Sequence, residues 1–330
     1  MKAVMYHYVR PYDADLPLLN HLRLDDFRRQ LDHFEHTYGF VSRKDLDVAL
    51  AGGPVPAGVV LTFDDALSCH YEHVFPELVA RGLWGIFYVP TGPYVNASLL
   101  GVHKIHLLTA LGRHEEVHAE LESLIEPHML QRDRLAEYDT YSYATHAELA
   151  HVKAIKKTFN YFLDYRYRDA VLDELCRRYV PAELLDPSRF YVPPERLLEM
   201  ERGGMVIGSH TVTHPVLSKL PAAKQRAEIH DSFAFLRDAG LDLSLRTFCY
   251  PYGGFHTFTT QTIALLERAD CAFTFNVEAR DIVPVDLAEA PQALPRFDCN
   301  RFPHGQVRHQ TTTKTLNAPE DPAGVLAADT

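Results

Sequence analysis

The chain has 330 residues, 46% hydrophobic and 23% charged, an ordinary composition for a soluble protein long enough for one large α/β domain or two smaller ones. A formal net charge of −11 argues against nonspecific binding to nucleic acid or to an anionic membrane. No run approaches the ~20 apolar residues of a spanning helix, the first residues lack the apolar core of a signal peptide, and the five widely spaced cysteines contain no CxxC pair, so a reduced, cytoplasmic protein without stable membrane insertion is expected.

In chain order, AVMYHYV (3–9) reads as a first short strand. Residues 24–39 read as a helix, with Leu24, Phe27, Leu31 and Phe34 at helical spacing and Gly39 in the C′ position. GVVLTF (58–63) is an apolar run of buried-strand type that leads straight into Asp64 and Asp65. Residues 71–82 read as a helix ending at Gly82, which Pro76 either kinks or begins. WGIFYVP (84–90) is the next strand, and the βαβαβ order points to a parallel sheet wrapped by helices. From about 97 to about 198 strand signals stop, and stretches such as HKIHLLTALGRHEEVHAELESLI have helical periodicity. Strands resume at 203–210, 245–251 and 271–277, separated by helices at 221–239 and 259–269; Pro221 suits the N1 position and Gly240 ends the first of these helices. The last residues, 309–330, are polar and aperiodic and read as an arm.

Three strands end in polar clusters: Asp64-Asp65, SHTVTHP (209–215) and YPYGG (250–254). The carboxyl ends of parallel strands converge on one face, so these clusters are expected to meet. His210 and His214 are spaced so that one helical turn would aim both rings the same way. With 19 histidines such pairs also arise by chance, and His33/His36 and His114/His118 read as solvated helix faces. The first pair differs in following a strand with an aspartate available nearby. Two neutral imidazoles and one carboxylate make a three-ligand site for a divalent ion with positions left open, a hydrolytic arrangement. A second carboxylate can serve as general base, and the ion removes the objection that adjacent carboxylates repel. The plainer reading of Asp64-Asp65 is a helix N-cap and its neighbour.

TFDDA (62–66), HTVTHP (210–215) and YPYGG, in this order and each after a strand, resemble the first three motifs of the polysaccharide deacetylase family, also called the NodB-homology or carbohydrate esterase 4 family. MYHYVR (5–10) and LPRF (294–297) resemble further segments of many members. The resemblance implies an α/β fold, a distorted (β/α)7 TIM-like barrel with a helical insertion between the first and second metal motifs. Its barrel would comprise 1–96 and 199–305, its insertion 97–198, and a C-terminal arm 306–330. It also implies metal-dependent removal of an N-acyl group from an amino sugar. Carried over by position, Asp64 resembles the general base, Asp65, His210 and His214 the metal ligands, and the backbone N–H of Tyr252 an oxyanion donor. The ligand types suit Zn2+, with Co2+, Ni2+, Fe2+ or Mn2+ also compatible.

The departures from the family pattern are informative. Ala66 stands where the first motif usually has Gly, and Cys249 where the third often has an Arg that orients the base. Arg296 is the candidate for that pairing, with Arg246 next; Cys249 itself reads simply as a small buried residue filling the Arg space. No copy of the family's Leu-His acid motif stands out, so His304, His256 and His7 are the candidates for the general acid. Tyr6 and His7 end the first strand and would face the site. The expected activity is deacetylation of a small N-acylated sugar, nucleotide- or lipid-linked, on the way to a surface polysaccharide such as lipopolysaccharide O-antigen, with the insertion over the sugar pocket. The alternatives are an amide hydrolase acting on a cyclic ureide or a small N-acyl or N-formyl compound, and a non-catalytic member that binds sugar or a partner. The oligomeric state is left open.

Overall fold

The computed structural model describes residues 1–131, 133–142 and 149–306. Seven short strands, β1 (Lys2–Tyr6), β2 (Val59–Asp64), β3 (Gly85–Val89), β4 (Val206–Ser209), β5 (Thr247–Cys249), β6 (Phe273–Phe275) and β7 (Phe297–Asp298), form one sheet. Every pairing is parallel, in the order β6-β5-β4-β3-β2-β1-β7. This is the distorted (β/α)7 barrel expected from the sequence.

β7 was not expected as a strand, because two residues carry no periodicity. Its place comes from closure. Leu294 bridges to Phe275 of β6 through hydrogen bonds of 2.8 and 3.0 Å with the carbonyl of Thr274 and the N–H of Asn276. Three residues later Phe297 pairs with Val4 of β1. The segment 294–298 therefore spans the gap between the two ends of the curl, with Arg296 between its anchors.

Strand residues alternate between two apolar layers, and both are buried, which is why the strands read as continuous apolar runs. Val4, Leu61, Phe63, Phe87 and Ile207 face outward with Phe27, Leu31 and Phe34 of α1 (Leu24–Thr37). Ala3, Val60, Ile86, Tyr88, Cys249 and Phe275 face inward. Tyr88 on β3 meets Phe275 on β6 at 6.3 Å, a contact between non-neighbouring strands that only the interior of a curled sheet allows. Thr62 and Asp64 share the inward parity.

α2 (Arg43–Leu50), which lay unread in the sequence, starts at Ser42, whose side chain accepts the N–H of Asp45. The helix expected over 71–82 splits. A π-turn at His70–Val74 runs into α3 (Phe75–Ala80), so Pro76 marks the start of the α-helix, where its missing N–H is harmless. Pro221 is the residue before the helix Ala222–Asp238 rather than its first.

Between β3 and β4 the described residues form α4 (Gly92–Asn96), α5 (Gly101–Ala110), α6 (His114–Leu124), α7 (Leu135–Tyr141), α8 (Ala150–Lys157), α9 (Tyr165–Tyr179) and α10 (Pro194–Arg202). After β4 come α11 (Ala222–Asp238), α12 (Thr260–Arg268) and α13 (Pro284–Glu289). α5, α6, α8 and α9 bury a core of their own around Ile105, Leu108, Val117, Ile155, Phe159 and Leu172. α10 instead packs Leu197 and Met200 into the outer layer of the barrel. The helical region is fastened to the barrel on two sides. Ser68 N–H donates to the Phe190 carbonyl at 2.9 Å and Val192 N–H to the Ala66 carbonyl at 2.8 Å. On the other side Lys219 Nζ donates to the carbonyls of Asn160, Tyr161 and Leu163 at 3.3, 2.9 and 2.7 Å, at the C-terminal end of a helical turn where a cation is favoured. No described helix is long and apolar enough to cross a membrane. The arm expected at 306–330 lies, beyond Gln306, outside the described residues.

Lys219→Met removes a donor shared by three carbonyls. It should lower the free energy of unfolding by about 1–3 kcal/mol, read as a lower urea midpoint at unchanged slope.

Candidate active site

β2 ends on Asp64, and the chain then turns sharply through Asp65 (φ 82°) and Ala66 (φ 50°), both in the left-handed region. Each such non-glycine conformation costs about 1 kcal/mol or more. The turn separates two side chains that would otherwise stand together. It also gives Ala66 a backbone that glycine would adopt freely, a physical reason for glycine at this position. Neither aspartate caps a helix, since helical backbone begins only at Ser68, with Leu67 before it. The N-cap reading of the pair is therefore wrong.

Asp64 points into the barrel, where Arg296 grips it with both nitrogens, Nη1–Oδ1 2.7 Å and Nη2–Oδ2 2.7 Å. The two side chains are 3% and 1% exposed. Arg296 Nη1 also reaches Thr62 Oγ1 at 3.2 Å, and Nη2 lies 2.9 Å from Cys249 Sγ. A cysteine at 249 leaves the space through which the guanidinium enters. Arg246, the other candidate, donates to the Ala269 carbonyl instead. Burial alone would raise the Asp64 carboxyl, but the Arg296 guanidinium outweighs it and holds it below the ordinary carboxylate range.

Asp65 points the other way. Its Oδ1 faces His210 Nε2 at 3.7 Å and His214 Nε2 at 3.5 Å. The ligand atoms of these three residues lie within 4.8 Å of one another. His210 Nδ1 donates to the Cys249 carbonyl at 2.7 Å, which turns the lone pair of Nε2 toward Asp65. Burial pushes His210 down and His214 well down, against the raising pull of the aspartates, so both rings are neutral. Asp65 Oδ1 is buried without a hydrogen-bond partner. A buried carboxylate oxygen facing neutral imidazoles is the donor set of a divalent cation, and the residues present fit Zn2+ or a similar ion.

The two histidines do not share a helical turn. Thr211 (φ 69°) and His214 (φ 56°) are left-handed, and the segment is a loop. Thr211 Oγ1 accepts the N–H of His214 at 2.9 Å, and Glu228 of α11 accepts those of Val212 and Thr213, both at 2.8 Å. Tyr252 is left-handed as well (φ 64°). Its N–H makes no hydrogen bond among the described residues, its ring lies 5.0 Å from that of His214, and its hydroxyl donates to Asn160 Oδ1 at 2.9 Å.

The acid candidates separate. His7 Nε2 lies 3.9 Å from Asp64 Oδ2 with its side chain 41% exposed, and its carbonyl accepts from His70 Nε2 at 2.7 Å. His256 packs against Tyr141 and Tyr161, with Nε2 3.4 Å from Ser142 Oγ. His304 is exposed, and no described contact links it to either aspartate. Tyr6 faces away from the site; its ring stacks on Phe63 and its hydroxyl donates to Gln30 Oε1. Outward parity along β1 sends it there.

One buried histidine beside Asp65 carried no reading from the sequence. His103 of α5 has Nε2 3.2 Å from Asp65 Oδ2 and Nδ1 2.6 Å from Tyr191 Oη. The signal available was weak but physical: α5 is apolar on most faces, and a histidine in its midst must find a polar partner.

A family model described as polysaccharide deacetylase matches residues 52–274. Among solved structures, the Streptococcus pyogenes deacetylase PplD, in complex with acetate, superposes with a TM-score of 0.55 at 16% identity, covering 90% of this chain and 91% of that one. IcaB from Ammonifex degensii gives 0.52 at 20% identity, covering 90% of each chain. The BpsB deacetylase domain from Bordetella bronchiseptica gives 0.52 at 16%, covering 90% and 94%. At these identities the likeness is one of fold. No curated protein matches the sequence.

Arg296→Met would leave Asp64 buried and uncompensated, a loss of about 3–5 kcal/mol where the carboxylate is charged. In the native chain the depressed Asp64 contributes stability above its unfolded pKa, lost as pH falls through its folded value. Without Arg296 burial governs, the carboxyl pKa rises, and protonation relieves the penalty. Thermal melts should show a larger drop at about pH 8 than at about pH 5, and equal drops would contradict this account.

Proposed function

The chain belongs to the polysaccharide deacetylase family, and from that premise we propose that it is a divalent-metal-dependent hydrolase that removes the N-acetyl group of an amino sugar. The reading rests most on the division of labour between the two carboxylates. Asp64 is held ionised by Arg296 inside the barrel, while Asp65 offers its unpartnered oxygen to two neutral imidazoles. Asp65, His210 and His214 would hold the ion, which when bound supplies a Lewis acid for the acyl carbonyl and for the attacking water. Asp64 takes the proton of that water, and the two-point grip of Arg296 keeps its carboxylate ionised and oriented for the transfer. The N–H of Tyr252 is the oxyanion donor, a role supported by its lack of another partner among the described residues. His7 gives the proton to the departing amine; its half-exposed ring beside Asp64 favours it over His256 and His304. Cys249, between Arg296 and Asp64, is packing for the pair.

The tests use acetate release from a panel of free, nucleotide-linked and lipid-linked N-acetyl sugars, with cyclic ureides and simple N-formyl and N-acetyl amides as the competing class. Asp64→Asn should retain about one metal ion per chain and lose about 10²-fold or more in turnover, whereas His214→Ala should lose the ion itself. Wild-type turnover in metal-loaded Asp64→Asn removes Asp64 from the role of base.

His7→Gln and His304→Gln separate the acid candidates. The first should reduce kcat by about 10²-fold, and the second should leave it unchanged. The reverse ranking would overturn the assignment of His7.

A further inference from the structure

His103 takes no part in the reading above, yet its ring is fully buried and each nitrogen meets a different partner. Tyr191 Oη already accepts the N–H of Leu100 at 3.0 Å, at the start of α5. Its own proton is free to go to His103 Nδ1, 2.6 Å away. That leaves the ring N–H on Nε2, on the side of Asp65 Oδ2 at 3.2 Å. The other neutral tautomer would set a lone pair against a carboxylate oxygen in a dry site, with nothing to compensate it.

The two oxygens of Asp65 therefore face different neighbours. Oδ1 looks toward His210 and His214 and has no hydrogen-bond partner. Oδ2 looks toward His103, whose Nε2 lies 3.2 Å away without a formed hydrogen bond. His103 stands outside the group of ligand atoms that lie within 4.8 Å of one another. Ligands at ~2.1 Å from one ion stand at most ~4.2 Å apart, so His103 is a neighbour of the ligand set and not a member of it.

We propose that His103 is a positioning residue: the chain Leu100 N–H, Tyr191 O–H sets the His103 ring with its Nε2 beside Asp65 Oδ2, 3.2 Å away, so that Oδ1 is the oxygen presented to the cation. The inference rests on the reading of Asp65, His210 and His214 as ligands. The relay is built into the loop it serves. Tyr191 bridges to Leu67, and Val192 N–H donates to the Ala66 carbonyl, in the same turn that carries Asp65. The helical region thus supplies part of the metal site as well as a wall beside it.

The test measures metal affinity on the full chain, by competition of Zn2+ with a chromophoric chelator and by the visible spectrum of the Co2+ form. Outer partners of ligands typically affect affinity by about 10–100-fold, and His103→Leu should weaken binding by that factor and shift the Co2+ bands. His103→Gln, which can still aim an N–H at Asp65, should recover most of the loss. Tyr191→Phe, which removes one hydroxyl, should weaken binding by a smaller factor. Wild-type affinity in a His103→Leu protein with an unchanged circular dichroism spectrum overturns the proposal. If that variant does not fold, wild-type affinity in Tyr191→Phe overturns it equally. Failure of the underlying reading looks different: Asp65→Asn would then bind the ion as tightly as the native chain, and both fall.

Discussion

Two opposite charges inside a closed barrel, Asp64 and Arg296, govern much of what this structure does. Neither could be buried alone, because desolvating a single ion costs several kcal/mol. They come from opposite ends of the fold, Asp64 from the end of β2 and Arg296 from the segment that closes the curl between β6 and β1. Closing the barrel and placing this charge pair in the candidate site are therefore one event. A buried pair of this kind contributes little net stability beside a well-packed apolar one of similar volume. What it contributes is a carboxylate that stays ionised, and held at two points, in surroundings that would otherwise protonate it.

The second constraint is the turn that follows. Five non-glycine residues, Asp65, Ala66, Thr211, His214 and Tyr252, take left-handed backbone around the site. Strain of this kind gathers where a chain must aim side chains that regular structure would send elsewhere. Here it points adjacent carboxylates in different directions and brings two histidines from a loop onto one oxygen. Hydrogen bonds from outside the turns hold them: Glu228 across the histidine loop, and the strand-like contact of residues 190–192 with the Asp65 loop. The helical region between β3 and β4 is thus anchored to the elements that carry the polar groups, and α5 sends His103 back into them.

Much of this was legible beforehand. Six of the seven strands read directly from apolar runs of strand length, and the polar clusters at three strand ends stood out because parallel strands deliver their carboxyl ends to one face. β7 was not legible, because two residues that join a ladder at the moment of closure carry no pattern. The spacing of His210 and His214 was noted for a helical reason that does not apply; loop hydrogen bonds, invisible in the spacing, aim the rings. His103 was hidden among 19 histidines on a helix whose apolar surroundings were its one local sign.

The sequence by itself determined the alternation of buried strands and helices and the helical character of the middle region, because these follow from periodicity along the chain, while the residues that could hold a cation were named by the motifs that resemble the family. Only the tertiary structure decided which residues meet. Arg296 reaches Asp64 across 232 positions, His103 reaches Asp65 from another element, and Tyr6 turns away while its neighbour His7 does not. Such pairings depend on where the barrel closes and which way each turn rotates a side chain, and no local pattern records either.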